Sequence, residues 1–439
     1  MRVRVSKAVA LLCSAALTVG SVAACSAPKL PADADGVQIS TTTPQGVRAQ
    51  QILDMLNSDW PISQESVKTL AGPEQVDFVT TAMDQLWWER PYRVAEVDYG
   101  AATAELQLAT SYGGRQTIDI RTAPSTLVDR FKVSTPSPVI GSWEDVDHAL
   151  GQLNGRYAYQ VSKISDGRCD MIAGSNTDVS MPLASIFKTY VLLAVAQEVA
   201  AGRLSWDDEV TVTAKAKAVG SSAFDKLKPG ATIPVRLAAE KMISSSDNMA
   251  TDLLIERVGK PAVTHALVTA GHHDPASMTP FPTMHEMFSI GWGIPDLREQ
   301  WRDADRAQRD ELLRETDLRP YKSDPQRTHT PAAAYGAQWF GSPADVCRIH
   351  VALQQTGQPV RDIMAALPGI DLDRAKWPYI GAKAGNLPGD LTFSWYVEDR
   401  SGQPWVVSLQ TSWDTFHGGR TAAWLMGVVK GMFALIPTQ

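Results

Sequence analysis

The chain has 439 residues, 44% hydrophobic and 20% charged, the balance of a water-soluble globular protein and more chain than one ordinary core accommodates. Two domains are therefore expected. The formal net charge is −7 and no basic stripe interrupts the sequence, which excludes the electrostatic footprint of a nucleic-acid binder.

Arg2, Arg4 and Lys7 precede the apolar run AVALLCSAALTVGSV, the layout of a secretory signal. The run ends VAAC, with small residues just before Cys25. This resembles the bacterial lipoprotein signal. The resemblance implies removal of residues 1–24, a lipid on the Cys25 sulfur, and an exported chain held on the outer side of the cell membrane. An uncleaved anchor and a simple signal with an incidental cysteine are the alternatives. Residues 25–45 are rich in Pro, Thr, Asp and Ala and are expected to form a tether. Of the four cysteines, Cys13 leaves with the signal. Cys169 and Cys347 remain in an oxidising compartment, where a disulfide and two buried thiols are both open readings.

From the tether onward, Ile52, Met55 and Leu56 fall at helical spacing, and a second helical pattern covers residues 64–86. Three strand-like runs follow, YRVAEVDY, TAELQLAT and RQTIDIRT, the last two joined across the turn signal SYGG. Helices followed by hairpin-linked strands predict a small α+β domain over residues 46–133. The Pro- and Ser-rich stretch 134–142 reads as a linker. Trp87-Trp88 reads as core or interface packing.

A second unit is expected over residues 143–439. RYAYQVSKI and CDMIAGS form a hairpin around SDG. PLASIFKTYVLLAVAQEVAAGRLS, residues 182–205, is an apolar helix with Ser185 and Lys188 near its start. Residues 233–259 are helical on both sides of Ser246-Asp247-Asn248. Residues 296–327 have helical propensity but few apolar positions and read as a charged surface insertion. Trp339-Phe340 reads as core. YIGAKAGNL, LTFSWYVED and PWVVSLQTS are strands, and residues 421–436 form a closing helix. The sheet is thus built from both ends of the domain.

Position i, i+3 places Lys188 beside Ser185 on one helix face. A buried lysine escapes the cost of desolvation by losing its proton, and a neutral amine beside a hydroxyl is a base beside a nucleophile. Ser185-x-x-Lys188, Ser246-Asp247-Asn248 and Lys383-Ala384-Gly385 occur in the order of the S-x-x-K, S-D-N and K-T-G elements of class A β-lactamases and penicillin-binding proteins, with Ala384 in the threonine position. From residue 143 onward the chain resembles the class A β-lactamase-like serine hydrolases. The resemblance implies an α+β fold, an α/β sandwich with an all-α lobe. It implies Ser185 as the acylated nucleophile, Lys188 as proton acceptor, Ser246 as proton relay and Lys383 as the group that attracts a substrate carboxylate. It further implies Asn248 as holder of a substrate amide, Asp247 as a loop brace, and the backbone N–H groups of Ser185 and Asn386 as the oxyanion hole. Gly385 would admit close backbone approach to the substrate.

Two departures qualify the resemblance. Ala384 lacks the hydroxyl with which family members hold a carboxylate. The β-lactamases proper carry Glu-x-x-Leu-Asn after Ser-Asp-Asn, whereas Glu286 is the only glutamate of residues 272–293 and reads as a helix-surface residue. An acyl-enzyme is then expected to form and to hydrolyse slowly. A small helix-plus-sheet domain fused to such a hydrolase resembles the cephalosporin-esterase branch of these enzymes, which implies an NTF2-like fold for the N-terminal domain. His272, His273, Asp274 and His285 lack metal-ligand spacing, so no metal and no cofactor are expected. His417 reads as a turn residue.

The resulting expectation is a serine hydrolase acting on a small β-lactam or ester, partnered with the membrane through the Cys25 lipid and with no nucleic acid. A penicillin-binding or D,D-peptidase-type cell-wall protein and a non-catalytic binding lipoprotein are the alternatives.

Overall fold

The computed structural model describes residues 36–438. The signal-like segment 1–24, Cys25 and the start of the tether lie outside these residues. The N-terminal domain begins with α1 (Pro44–Leu56), capped by Thr43, then α2 (Gln64–Lys68) and α3 (Val76–Trp87). Gly72-Pro73 separates the last two, because proline cannot continue a helix. β1 (Arg93–Tyr99), β2 (Thr103–Ala109), β3 (Arg115–Thr122) and β4 (Val128–Ser134) form an antiparallel meander. Ile52, Leu56, Val79 and Met83 pack on Leu106, Leu108, Ile118 and Ile120. The meander has four strands where the sequence pattern predicts three. β4 was missed because Asp129, Arg130 and Lys132 interrupt its apolar residues, the charge pattern of an edge strand.

The C-terminal domain opens with α4 (Trp143–Gly151) and the hairpin β5 (Arg156–Ser165) and β6 (Arg168–Ser175). After β7 (Met181–Pro182) comes the apolar α5 (Lys188–Ala200), then β8 (Glu209–Thr211), α6 (Ala214–Ala218) and β9 (Thr232–Pro234). The all-α lobe continues through α7 (Val235–Ser244), α8 (Asn248–Val258), α9 (Lys260–Thr269), α10 (Met284–Trp292), α11 (Arg298–Asp303) and α12 (Arg306–Asp317). β10 (Phe340–Gly341) pairs with β7 and precedes α13 (Pro343–Gln355) and α14 (Val360–Ala365). β11 (Tyr379–Leu387), β12 (Asp390–Glu398) and β13 (Pro404–Ser412) lead into α15 (Gly419–Leu435). The sheet order is β11-β12-β13-β5-β6, so the two ends of the domain do pair, β13 against β5. α4 and α15 cover one face and α13 with the helical lobe covers the other. The charged insertion is not wholly surface: Trp301, Leu312 and Leu313 are buried in the lobe core, anchoring two otherwise solvated helices.

Cys169 and Cys347 form a disulfide between β6 and α13, 178 residues apart in sequence. Closing so long a loop stabilises by about 5 kcal/mol in the chain-entropy account.

The domains share one interface. Tyr112, in the SYGG turn, is fully buried in the C-terminal core beside Trp424, 5.7 Å between ring centroids. That turn is a plug as well as a hairpin end. Trp88 stacks on His329 at 3.7 Å. Glu89 follows, 1% exposed, and its carboxylate accepts from the backbone N–H of Gly418 (2.9 Å), Arg420 (3.1 Å) and Thr421 (3.0 Å) and from the Thr421 hydroxyl (2.8 Å). A carboxylate from one domain thus caps the N-terminus of α15 in the other, where unpaired N–H groups and the helix dipole favour negative charge. Burial raises the Glu89 carboxyl above the usual range, and these donors pull it partway back.

Glu89→Ala removes the acceptor and leaves buried donors unpaired. A loss of about 2–3 kcal/mol is expected in urea unfolding of the full chain. A loss below 0.5 kcal/mol would show that water caps α15 equally well.

Candidate active site

Ser185 sits on a tight 3-10 turn, Ala184–Phe187, just ahead of α5 rather than within an α-helical first turn. In such a turn residues i and i+3 eclipse, so Ser185 and Lys188 share one side. The turn is pinned from outside: Leu183 N–H donates to the Trp339 carbonyl at 2.8 Å, and Thr392 Oγ1 donates to the Leu183 carbonyl at 2.9 Å. Phe187 stacks on Trp339 at 3.8 Å. Ala184 holds φ +44°, a left-handed conformation costly for a residue with a Cβ.

The second strained residue is Ser246, at φ +56° between α7 and α8. Asp247 fixes this junction. Its carboxylate caps α8 through Ala250 N–H (2.8 Å) and accepts from Ser221 Oγ (2.6 Å) and Ala223 N–H (3.0 Å). The bracing role expected of Asp247 is thus visible as hydrogen bonds. Ser221 was not picked out from the sequence, since nothing in its local pattern announces a partner 26 residues away.

Lys188 is fully buried. Its Nζ lies 2.6 Å from the Ser246 carbonyl, 3.2 Å from Ser246 Oγ and 2.8 Å from Asn248 Oδ1, all within hydrogen-bond distance. Lys383, on β11, reaches the same hydroxyl from the other side at 3.1 Å and donates to the Ala384 carbonyl at 2.6 Å. Ser246 Oγ therefore lies between two buried amines. Burial pushes Lys188 well below the usual lysine range, and the charge of Lys383 adds to that. Burial lowers Lys383 to about 7.

Gly385 lines the cavity and also sits against the Ser185 turn. A Cβ there would lie 2.6 Å from Ser185 N and 2.7 Å from Ala184 Cβ, so the close approach that glycine permits is to the Ser185 turn itself. Behind β11, Ser394 Oγ donates to the Lys383 carbonyl (2.8 Å) and His350 Nε2 lies 2.9 Å from Ser394 Oγ. Because that hydroxyl spends its proton on the carbonyl, His350 is the donor. Burial lowers this imidazole to about 3, so it is neutral. Only the pairing of β11 with β12 and the packing of α13 reveal this support.

A cavity of about 520 Å³ takes in Ser185, Ser246, Asn248, Lys383, Ala384, Gly385 and Asn386, with Lys188 beneath it. Asn248 Oδ1 is already engaged by Lys188, and its amide nitrogen lies at 3.5 Å from the Val219 carbonyl with a second N–H to spare. Met284 and Phe288 of α10 face the cavity. Glu286 does not line it and is not a surface residue: it is 2% exposed, closes the capping box of α10 with Thr283, and pairs with Lys260 at 2.5 Å. Among the described residues lining the cavity there is no carboxylate and no imidazole.

The histidines fall elsewhere. His272, His273 and Asp345 bring their ligand atoms within 4.8 Å of one another, a cluster that their spacing in sequence does not announce, because both rings swing onto one carboxylate. That cluster is internally satisfied. His272 Nε2 faces the Phe340 carbonyl at 3.0 Å, and Asp345 accepts from Ser342 and His273 as the N3 residue of the α13 capping box. Asp274 caps its own short turn, and His285 is buried against the Thr316 and Arg319 carbonyls. His417 is a turn residue as expected, but buried under Trp413.

Residues 143–335 match the model of the beta-lactamase enzyme family, and residues 39–128 match a model described as the ORF 12 gene product N-terminal. No curated protein matches the chain. Among solved structures, a β-lactamase from Sphaerobacter thermophilus aligns at 19% identity over 69% of this chain and 100% of its own, with a TM-score of 0.46. A β-lactamase from Chitinophaga pinensis aligns at 15% identity over 66% and 97%, TM-score 0.47. A PBP-A mutant in its acyl-enzyme complex with penicillin G aligns at 15% identity over 68% and 98%, TM-score 0.45.

The lysine pair has a consequence for stability. Lys383 titrates near 7 in the fold and near the ordinary lysine value of about 10.4 when unfolded. Between these values the unfolded chain binds more protons, so stability rises with pH. Urea unfolding should show a rise on the order of 1 kcal/mol per pH unit between about pH 7 and 9. Lys383→Met should reduce that slope; an unchanged slope would refute the assignment. The beta-lactamase family match over residues 143–335 takes in Ser185, Lys188 and Ser246, and the fold brings Lys383 from beyond that match to the same hydroxyl.

Proposed function

We propose that the chain forms an acyl-enzyme on Ser185 with β-lactam or ester substrates. The observation that carries this reading is the Ser246 hydroxyl held between the two buried amines, 3.2 Å from Lys188 and 3.1 Å from Lys383, in the cavity that Ser185 lines. Lys188, neutral through burial, takes the Ser185 proton as Oγ bonds to the substrate carbonyl carbon. The backbone N–H groups of Ser185 and Asn386 receive the oxyanion. The C–N or C–O bond then breaks, Ser246 gives its proton to the leaving atom, and Lys188 returns a proton to Ser246. Below about pH 7 Lys383 is protonated beside Ser246 and attracts a substrate carboxylate. Water hydrolyses the ester on Ser185. With Glu286 spent on Lys260, no carboxylate is aimed at that water, so deacylation is the slow step.

The chain is further proposed to be exported and anchored through a lipid on Cys25. The signal-like run ending VAAC supports this, and so does the Cys169–Cys347 disulfide, a bond suited to an oxidising compartment.

Incubation with a chromogenic cephalosporin, followed by intact mass, tests the acyl-enzyme. A Ser185-linked adduct that decays slowly is expected, abolished in Ser185→Ala. Lys188→Ala should slow its formation by at least 10²-fold. Failure to acylate with any β-lactam or ester would leave a binding lipoprotein as the reading.

A further inference from the structure

Side chains alternate along a strand, and β11 is the edge of its sheet. Lys383 and Gly385 face the Ser185 turn. Ala382, Ala384 and Asn386 point to the opposite face, yet both sets line one cavity, which therefore folds over the strand edge. On the far face it is bounded by Trp395, Phe393 and Leu391, the cross-strand partners of Ala382, Ala384 and Asn386. Ala422 and Met426, one turn apart on α15, close that arm. Leu367 forms an exposed lip, and the neighbouring Pro368 carbonyl takes the Trp395 indole N–H at 2.8 Å. Among the described residues of this arm no side chain is charged.

We propose that this arm is a specificity pocket for the apolar alcohol portion of an ester substrate. The inference rests on the acyl-transfer reading of Ser185 and adds the substrate class to it. Direction follows from the proton relay. The leaving atom must meet Ser246, Ser246 touches Lys383, and Ala384 is the next residue along the strand. The leaving group is thus carried over Ala384 into the arm, while the acyl portion lies toward Asn248, Met284 and Phe288. A methyl at position 384 keeps this crossing apolar. The reaction balances as an ester R–CO–OR′ with Ser185 giving R–CO–O–Ser185 and R′OH, then water giving the acid R–COOH and free Ser185. R′ is the part that occupies the arm.

Two ester series separate the alternatives, with acid release followed by titration on the purified full chain. In acetates of ethyl, butyl and hexyl alcohol, kcat/KM should rise at least tenfold from first to last, since each buried methylene contributes up to about fourfold. In ethyl esters of acetic, butanoic and hexanoic acid the gain should stay below about threefold. Met426→Glu should flatten the alcohol series, and Ala384→Gln should do the same if the first variant misfolds. A flat alcohol series, or equal gains in both, with hydrolysis still dependent on Ser185, would overturn the pocket and leave acyl transfer standing. If no ester is hydrolysed, the acyl-transfer reading is judged separately by the β-lactam adduct on Ser185. The arm is then judged by saturation-transfer NMR of hexyl acetate on Ser185→Ala: a signal removed by Met426→Glu supports an apolar pocket, and an equal signal overturns it.

Discussion

The structure depends on taking two lysine amines out of water and placing one hydroxyl between them. Lys188 and Lys383 come from opposite layers, one from the helical lobe and one from the sheet edge, and Ser246 touches both. Buried like charges are costly, and the fold answers by lowering both pKa values. Stability is given up for a base that is neutral where an ordinary lysine is charged. The surroundings follow from that constraint. Ser246 is forced into a left-handed conformation, Asp247 locks the junction, and Gly385 lets the edge strand press on the Ser185 turn.

The N-terminal domain is built into this arrangement. With Ala422 and Met426, α15 closes the far side of the cavity that Ser185 lines, and its N-terminus is capped by Glu89 from the other domain. Tyr112 fills the space beside Trp424 on the same helix. The position of a cavity wall is therefore set by contacts that cross the domain boundary.

The parts of the site with short-range signatures were legible before folding. Ser185-x-x-Lys188, Ser246-Asp247-Asn248 and Lys383-x-Gly385 are local strings, and their order implied that they meet. The sheet strands and α15 announced themselves through apolar runs. Legibility ended where an element's role depends on a partner far along the chain. β4 carries too many charges to look like a strand until β3 pairs with it. Glu286 looked like surface because its neighbours do not show Lys260, and SYGG looked like a mere turn because Trp424 lies some three hundred residues on.

Residue order alone determined the chemistry on offer: a serine, two lysines and a second serine in fixed local motifs, an alanine where a hydroxyl would hold a carboxylate, and two cysteines in a chain with a signal-like start. Tertiary structure decided what that chemistry faces. It joined Cys169 to Cys347, withdrew Glu286 from the cavity, and wrapped the cavity over β11 toward Met426. The physical reason is that motifs are written in neighbouring covalent bonds, whereas burial, pKa and cavity shape are set by groups that meet only after the chain has closed its long loops.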